Sequence, residues 1–299
     1  MNDISALPTV LIHDSLGGDP AQTPAELTAQ VREHLSARAA QGVVYVELHL
    51  PLAEHTAGGL TLQEVIDCAV AGLDVPLIDA RLIPTTHTTG DVAAVAELVV
   101  ANHGRHVVGC GLVGDVTGHA AALSLLRENY VPVTVDVDGG IDAIGAAVQA
   151  GALRLGHPLA LIDDFTIDTE GFDGVLPGRI SGWVRDRHLT CDFAPADEVA
   201  RGAVDEYSEH PLTLLQQLGF TCTVDAADFE RLGQIFGYGD EEFFDLTLNA
   251  VRGAFLTEVE RQDLLERVIL PAYESQDLQA GLDEFGAHEH GADADADLA

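Results

Sequence analysis

The chain has 299 residues, 47% hydrophobic and only 5% aromatic, with 30 glycines. Its 14 basic residues are all arginine and face 49 acids, for a net charge of −35. With no lysine, Schiff-base, P-loop and carboxylated-lysine chemistry are excluded. The charge also argues against nucleic-acid binding, which needs a basic face.

In chain order, short apolar runs alternate with amphipathic stretches. Strands are predicted at 9–13, 42–50, 78–83, 107–113, 131–137, 153–156, 189–193 and 220–225. Most are apolar on both faces, as parallel strands covered on each side are. Helices are predicted between them, for example at 60–73, 92–101 and 211–218, from apolar residues three and four apart. Thr23-Pro-Ala-Glu26 and Thr61-Leu-Gln-Glu64 read as capping boxes, the first with proline at the opening helical position. Beyond the last strand, 241–254 and 258–273 predict two further helices. Eight βα units predict a single (β/α)8 TIM-type barrel with extra C-terminal helices. The open doubly wound alternative wants Gly-x-Gly-x-x-Gly after its first strand, and Ser15-Leu-Gly-Gly-Asp-Pro lacks that spacing.

Residues 1–283 are therefore read as one barrel domain, and 284–299 as a disordered acidic tail. The tail's His288-Glu-His290 pair is read as incidental. Cys68, Cys110, Cys191 and Cys222 lie far apart, which predicts reduced, mostly buried thiols rather than a disulfide frame. No leader-like N-terminus or long apolar run is visible, so a cytoplasmic protein without membrane contact is expected.

Barrel chemistry belongs at the C-terminal ends of the strands. Those ends carry His13-Asp14-Ser15, Asp136-Val-Asp138-Gly-Gly, Arg154-Leu-Gly-His157-Pro158 and Asp225-Ala-Ala-Asp228. Several further stretches keep a common order: Gly42-Val-Val-Tyr-Val-Glu-Leu-His-Leu, His210-Pro211, Gly219-Phe-Thr-Cys-Thr-Val and Phe236-Gly-Tyr-Gly. Together they resemble the adenosine deaminases and their adenine-deaminase relatives in the amidohydrolase superfamily, over most of the chain. The resemblance implies a zinc held by a His-x-His pair, a His after strand five and an Asp after strand eight. On those positions stand His13, Ser15, Asp136 and Ala227. The family's proton-transferring Glu falls on Gly139, and its catalytic His on His157, followed by Pro158 instead of Gly. Gly114 and Asp115 resemble its purine-contacting turn, and Asp228 keeps the neighbour of the missing Asp ligand. Only about thirty residues separate the first two strands, room for one covering helix, so a shallow, open pocket is expected.

Three readings follow. A catalytically inactive barrel with a binding or assembly role expects no cofactor; His13, Asp136 and Asp228 are then a vestigial metal set. A site rebuilt for another metal, or for metal-free hydrolysis of a nucleoside-like substrate, would use His157 and an oxygen-rich set of Asp136, Asp138, His13 and Asp228. A weak purine deaminase is the third. Against the oxygen-rich set, Asp136 and Asp138 read as acids on one strand face with raised pKa values, Asp14 as a turn cap, and Arg154 as their neutralising partner. Apolar barrel surface left by the short first connection predicts a homodimer that strengthens with salt.

Overall fold

The structure, a computed structural model, describes residues 7–56, 58–168 and 174–274. The acidic stretch 284–299, with His288 and His290, lies outside them.

Strand β1 (Thr9–Ser15) is followed by α1 (Pro24–Ala40), whose Leu27, Val31 and Leu35 recur every four residues and are fully buried. Thr23 caps α1 by accepting from the Glu26 amide, but Glu26 reaches back to the amide of Gln22, so the expected box is one residue out of step. There follow β2 (Val43–Pro51), α2 (Leu62–Gly72) with its full Thr61–Glu64 box, β3 (Asp79–His87), α3 (Val92–Asn102), β4 (Cys110–Val113) and α4 (Ala120–Glu128). The chain continues through β5 (Val133–Asp136), α5 (Ile141–Ala150) and β6 (Arg154–Gly156).

An antiparallel hairpin, β7 (Phe165–Asp168) with β8 (Gly174–Pro177), interrupts the alternation and was not predicted. Helix α6 (Arg179–Asp186) follows it, started by Asp164, whose carboxylate accepts from the amides of Ile180 and Ser181. A cap supplied from so far back leaves no local signature. The barrel resumes with β9 (Thr190–Phe193), α7 (Pro195–Ala200), α8 (Leu212–Gln217) and β10 (Thr221–Val224). Helices α9 (Phe229–Phe236), α10 (Asp240–Gly253) and α11 (Glu258–Leu264) follow.

All eight barrel strands are parallel, in the order β1-β2-β3-β4-β5-β6-β9-β10, and form a nearly closed (β/α)8 barrel. The first and last strands are tied by α1. Arg38 donates to Asp14 at the end of β1 (2.6 Å) and to Asp225 after β10 (3.1 Å), while His34 also contacts Asp14 at 2.6 Å. Asp14 is thus a buried anchor for α1 rather than a turn cap. The β1–β2 ladder slips between Leu11 and Asp14, where two residues of β1, Ile12 and His13, face one of β2, Glu47. Such bulges bend a strand end and re-aim its side chains.

Inside the barrel, the period of two along β2 sends Tyr45, Glu47 and His49 to one face. Glu47 and Arg154 form a fully buried ion pair at 2.7 Å. Glu47 also accepts from Tyr45 and from the amide of Phe255, and the guanidinium lies 4.3 Å from the centroid of the Phe255 ring. A buried charge pair survives only when its remaining polar atoms are satisfied in this way. Arg154 therefore neutralises Glu47, not the strand-five acids as expected. No helix among the described residues is long and apolar enough to cross a membrane.

Candidate functional site

Three strand ends converge on His13. Its Nε2 lies 3.3 Å from Asp136 at the end of β5, and its Nδ1 3.2 Å from Asp192 in β9. The second contact is close but out of line for a hydrogen bond. Gly156 makes this approach possible: a Cβ there would collide with the Asp136 carboxylate and come within 2.9 Å of His13 Cε1. Burial alone would push the His13 pKa down, but Asp136 and Asp192 outweigh it and raise it to about 10. Asp136 shows the reciprocal effect. Burial pushes it up, yet His13 holds it well below the usual carboxylate range. The expectation of raised pKa values thus fails at Asp136, because His13 is the cation beside it, while Arg154, the cation expected there, pairs with Glu47. Asp138 lies beyond the strand and is exposed, so the two acids do not share a strand face.

His49 stacks on His13, with centroids 4.1 Å apart and 29° between planes. Burial and the neighbouring His13 push its pKa well below the ordinary value, so the ring is neutral. Arg154 approaches His49 Nε2 at 3.4 Å. An arginine can only donate, so the ring's hydrogen belongs on Nδ1.

His157, just past β6, adopts a left-handed backbone with φ of 54°. Its amide donates to the Asp192 carbonyl (2.8 Å), and its Nδ1 meets Glu198 Oε1 at 2.7 Å. The other carboxylate oxygen meets His210 Nε2 at 2.6 Å, while His210 Nδ1 accepts from the Leu212 amide. The Leu212 contact fixes the His210 tautomer with its hydrogen toward Glu198. Burial would raise the Glu198 pKa, but the hydrogen bonds from His157 and His210 bring it to about 2. With Nδ1 committed, His157 has Nε2 left for a ligand.

His157 and Asp136 border a cavity of about 760 Å³, which also takes in Asp138, Ile162, Arg201 and Glu209. That volume is in the range of small-molecule sites. The other predicted residues stand apart from it. Asp228 accepts from the Tyr207 hydroxyl (3.0 Å) and the Ala196 amide (3.1 Å), and burial raises its pKa to about 6. The Asp115 carboxylate is exposed and closes a turn onto Thr117, while Gly114 holds the preceding bend at φ of 102°. Neither lines the cavity. Ser15 and Ala227 are exposed.

The sequence reading missed His49, Asp192, Glu198 and His210. For His49 a signal existed, the polar period of two along β2. For the other three, only the fold reveals the partners.

A barrel with histidines and carboxylates gathered at its strand ends is the architecture of metal-assisted hydrolases. The adenosine deaminase family profile matches residues 15–271, and the chain belongs to that family. It is 30% identical to an adenosine deaminase of Mycolicibacterium vanbaalenii, covering 84% of this chain and 77% of that one. It is likewise 30% identical to adenosine deaminase 1 of Streptomyces coelicolor, over 79% and 66% of the two chains. Among solved structures it is similar to adenine deaminase from Arthrobacter aurescens (TM-score 0.70, 19% identity, covering 86% and 80%). It also resembles a Burkholderia ambifaria amidohydrolase with bound zinc (TM-score 0.76, 17% identity, covering 93% and 94%). At these identities the structures attest the fold.

Zinc in this family raises a question of fit. His13, His49 and Asp136 each offer an atom within 4.8 Å of the others, and His49 Nδ1 and Asp136 Oδ1 are buried without partners. A histidine binds zinc along a lone pair in its own ring plane, at about 2.0–2.1 Å. Two planes tilted by 29° and stacked 4.1 Å apart meet well beyond that distance. His49 has a hydrogen on one nitrogen and Arg154 on the other, and both His13 nitrogens face carboxylates. Ser15 and Ala227 supply no replacement. As arranged, these residues do not fit zinc.

Proposed function

We propose that this member of the deaminase family binds a small ligand in the barrel-mouth cavity without deaminating it. The observation that carries the reading is the donor set: His13 is engaged by two acids, and Ser15, Gly139 and Ala227 stand where the family places two ligands and its proton-transferring carboxylate. Water far from a metal keeps its pKa near the bulk value of about 15.7. The cavity and the oriented His157 are what a binding role needs, with Nε2 and the half-open wall available to a polar ligand. The relatives point to the ligand class: they are named as adenosine and adenine deaminases, and an Arabidopsis structural neighbour was solved with IMP. A purine base, nucleoside or nucleotide is therefore the ligand to test first.

The Glu198-held His157 favours a second reading, a rebuilt hydrolase that uses this imidazole as general base. One experiment separates the two. Ammonia release from adenosine, 2′-deoxyadenosine and adenine is measured with zinc-supplemented protein, with His157→Ala as control, alongside calorimetric titration of the same compounds. Binding without release is expected. Turnover that disappears in His157→Ala overturns the non-deaminating reading, and no heat with any purine overturns the ligand class.

A further inference from the structure

We propose that the groove between β8 and α6, on the outer wall of the barrel, holds the chain's own acidic C-terminal segment, residues 275–299, with Phe285 against Trp183. Arg179, Trp183 and Arg187 recur every fourth residue along α6 and just past its end, and all three are exposed. That spacing puts them on one face of the helix. The Arg187 guanidinium lies over the Trp183 ring, 4.7 Å from its centroid. Opposite stand the exposed Val175 and Leu176 of β8, and with Arg185 these residues wall a groove of about 670 Å³. Among the described residues, Arg185 has Asp186 beside it at 3.0 Å, while Arg179 and Arg187 have no acid within ion-pair reach. A large uncovered ring flanked by unpaired arginines has the composition of a docking anchor.

Charge and reach choose the occupant. In a chain of net charge −35, three of the 14 arginines fall within nine residues here, so α6 is a local exception. The segment after Glu274 is its complement, with seven acids, no arginine, and Phe285 directly after Asp283-Glu284. A second copy would instead bring its own net charge of −35 to the contact, which repels it. The segment also starts nearby. Tyr273 rests on α10, its hydroxyl 3.2 Å from that of Thr247 and its ring 4.9 Å from that of Phe244. From Thr247 the helix runs about 9 Å to Gly253. A Cβ on Gly253 would come 2.6 Å from the hydroxyl oxygen of Thr190, three residues past Arg187. Eleven residues lie between Glu274 and Phe285, an extended reach of about 36–40 Å. The segment need not fold to be held. Tethering keeps it near the groove at an effective concentration of about millimolar, so weak contacts suffice.

The test uses the full chain, whose one tryptophan makes fluorescence and the indole ¹H–¹⁵N resonance report this groove alone. Emission, acrylamide quenching and the indole resonance are recorded for wild type, Phe285→Ala and Arg179→Glu. Salt is raised to about 1 M, where the Debye length shrinks to about 3 Å. Sedimentation is run at each protein concentration. Expected are a red shift, a steeper quenching slope and a moved indole resonance in both variants. High salt should do the same to the wild type, even if a variant fails to fold, and dilution should change nothing. A response to Arg179→Glu with none to Phe285→Ala is a local effect on the ring and overturns the proposal. So does a wild-type signal indifferent to salt. Protection of Trp183 that rises with protein concentration alongside a dimer makes a second copy the occupant, and overturns it as well.

Discussion

Two imidazole–carboxylate systems sit side by side at the barrel mouth, with opposite composition. In one, a single acid, Glu198, is held by two imidazoles, His157 and His210. In the other, a single imidazole, His13, is flanked by two acids, Asp136 and Asp192. The minority partner carries the charge that the other two satisfy. Glu198 is lowered to about 2 and His13 raised to about 10.

The comparison breaks most sharply at Glu198. Glu198→Ala leaves two imidazoles facing a buried gap, and a loss of about 3–5 kcal/mol is expected by urea unfolding. A shift from 4.5 to about 2 corresponds to a similar order, roughly 3 kcal/mol at ~1.4 per unit. A loss below about 1 kcal/mol would mean the acid is no keystone.

The pH dependence sharpens the contrast. Glu198 has a depressed folded pKa, so its stabilisation is present above its unfolded value of 4.5 and lost as pH falls toward about 2. His13 has a raised folded pKa, so its contribution is complete below 6.5 and lost as pH rises through about 10. Melting temperatures across pH should show Glu198→Gln flattening the acid limb, and His13→Asn flattening the alkaline limb together with the part of the acid limb that comes from Asp136. Glu198→Gln flattening the alkaline limb as well would mean that the two systems are one.

Gly156→Ala is expected to cost about 1–3 kcal/mol, because the added methyl meets Asp136 and His13 in an already packed site. Chemical denaturation checks the size, and shifted His13 resonances check the location. The smallest effect belongs to Thr223→Val, which removes one hydrogen bond to Asp192 and should cost about 1 kcal/mol. If this variant instead disturbs His13 more than Gly156→Ala does, Asp192 rather than Asp136 is the stronger grip.

The eight strands were legible because each is a short, doubly covered apolar run, and the parallel sheet keeps every one of them. The reading stopped β3 at Ile83, whereas the strand runs on through Pro84 to His87. It started the fourth strand at Val107, where only isolated bridges to Leu82 and His103 form before β4 begins at Cys110. The β7–β8 hairpin was missed because it lies between two barrel strands, where the βα alternation predicts only a helix. At the site, His13, Asp136 and His157 were visible as polar residues at strand ends. Asp192 was not, since an acid inside Thr-Cys-Asp-Phe looks like any interruption of an apolar run. Glu198 shares the first turn of α7 with Asp197, and nothing local says which of the two turns inward.

What the sequence determines by itself is what acts within a few residues: helix and strand periodicity, the Thr61 cap, the absence of lysine, and the loss of ligand types at Ser15, Gly139 and Ala227. Only the tertiary structure decides the charge of His13, the neutrality of His49 and the orientation of His157. Those depend on carboxylates and a guanidinium delivered by strands distant in sequence. Electrostatic coupling and burial fall off with distance through space, and separation along the chain does not enter.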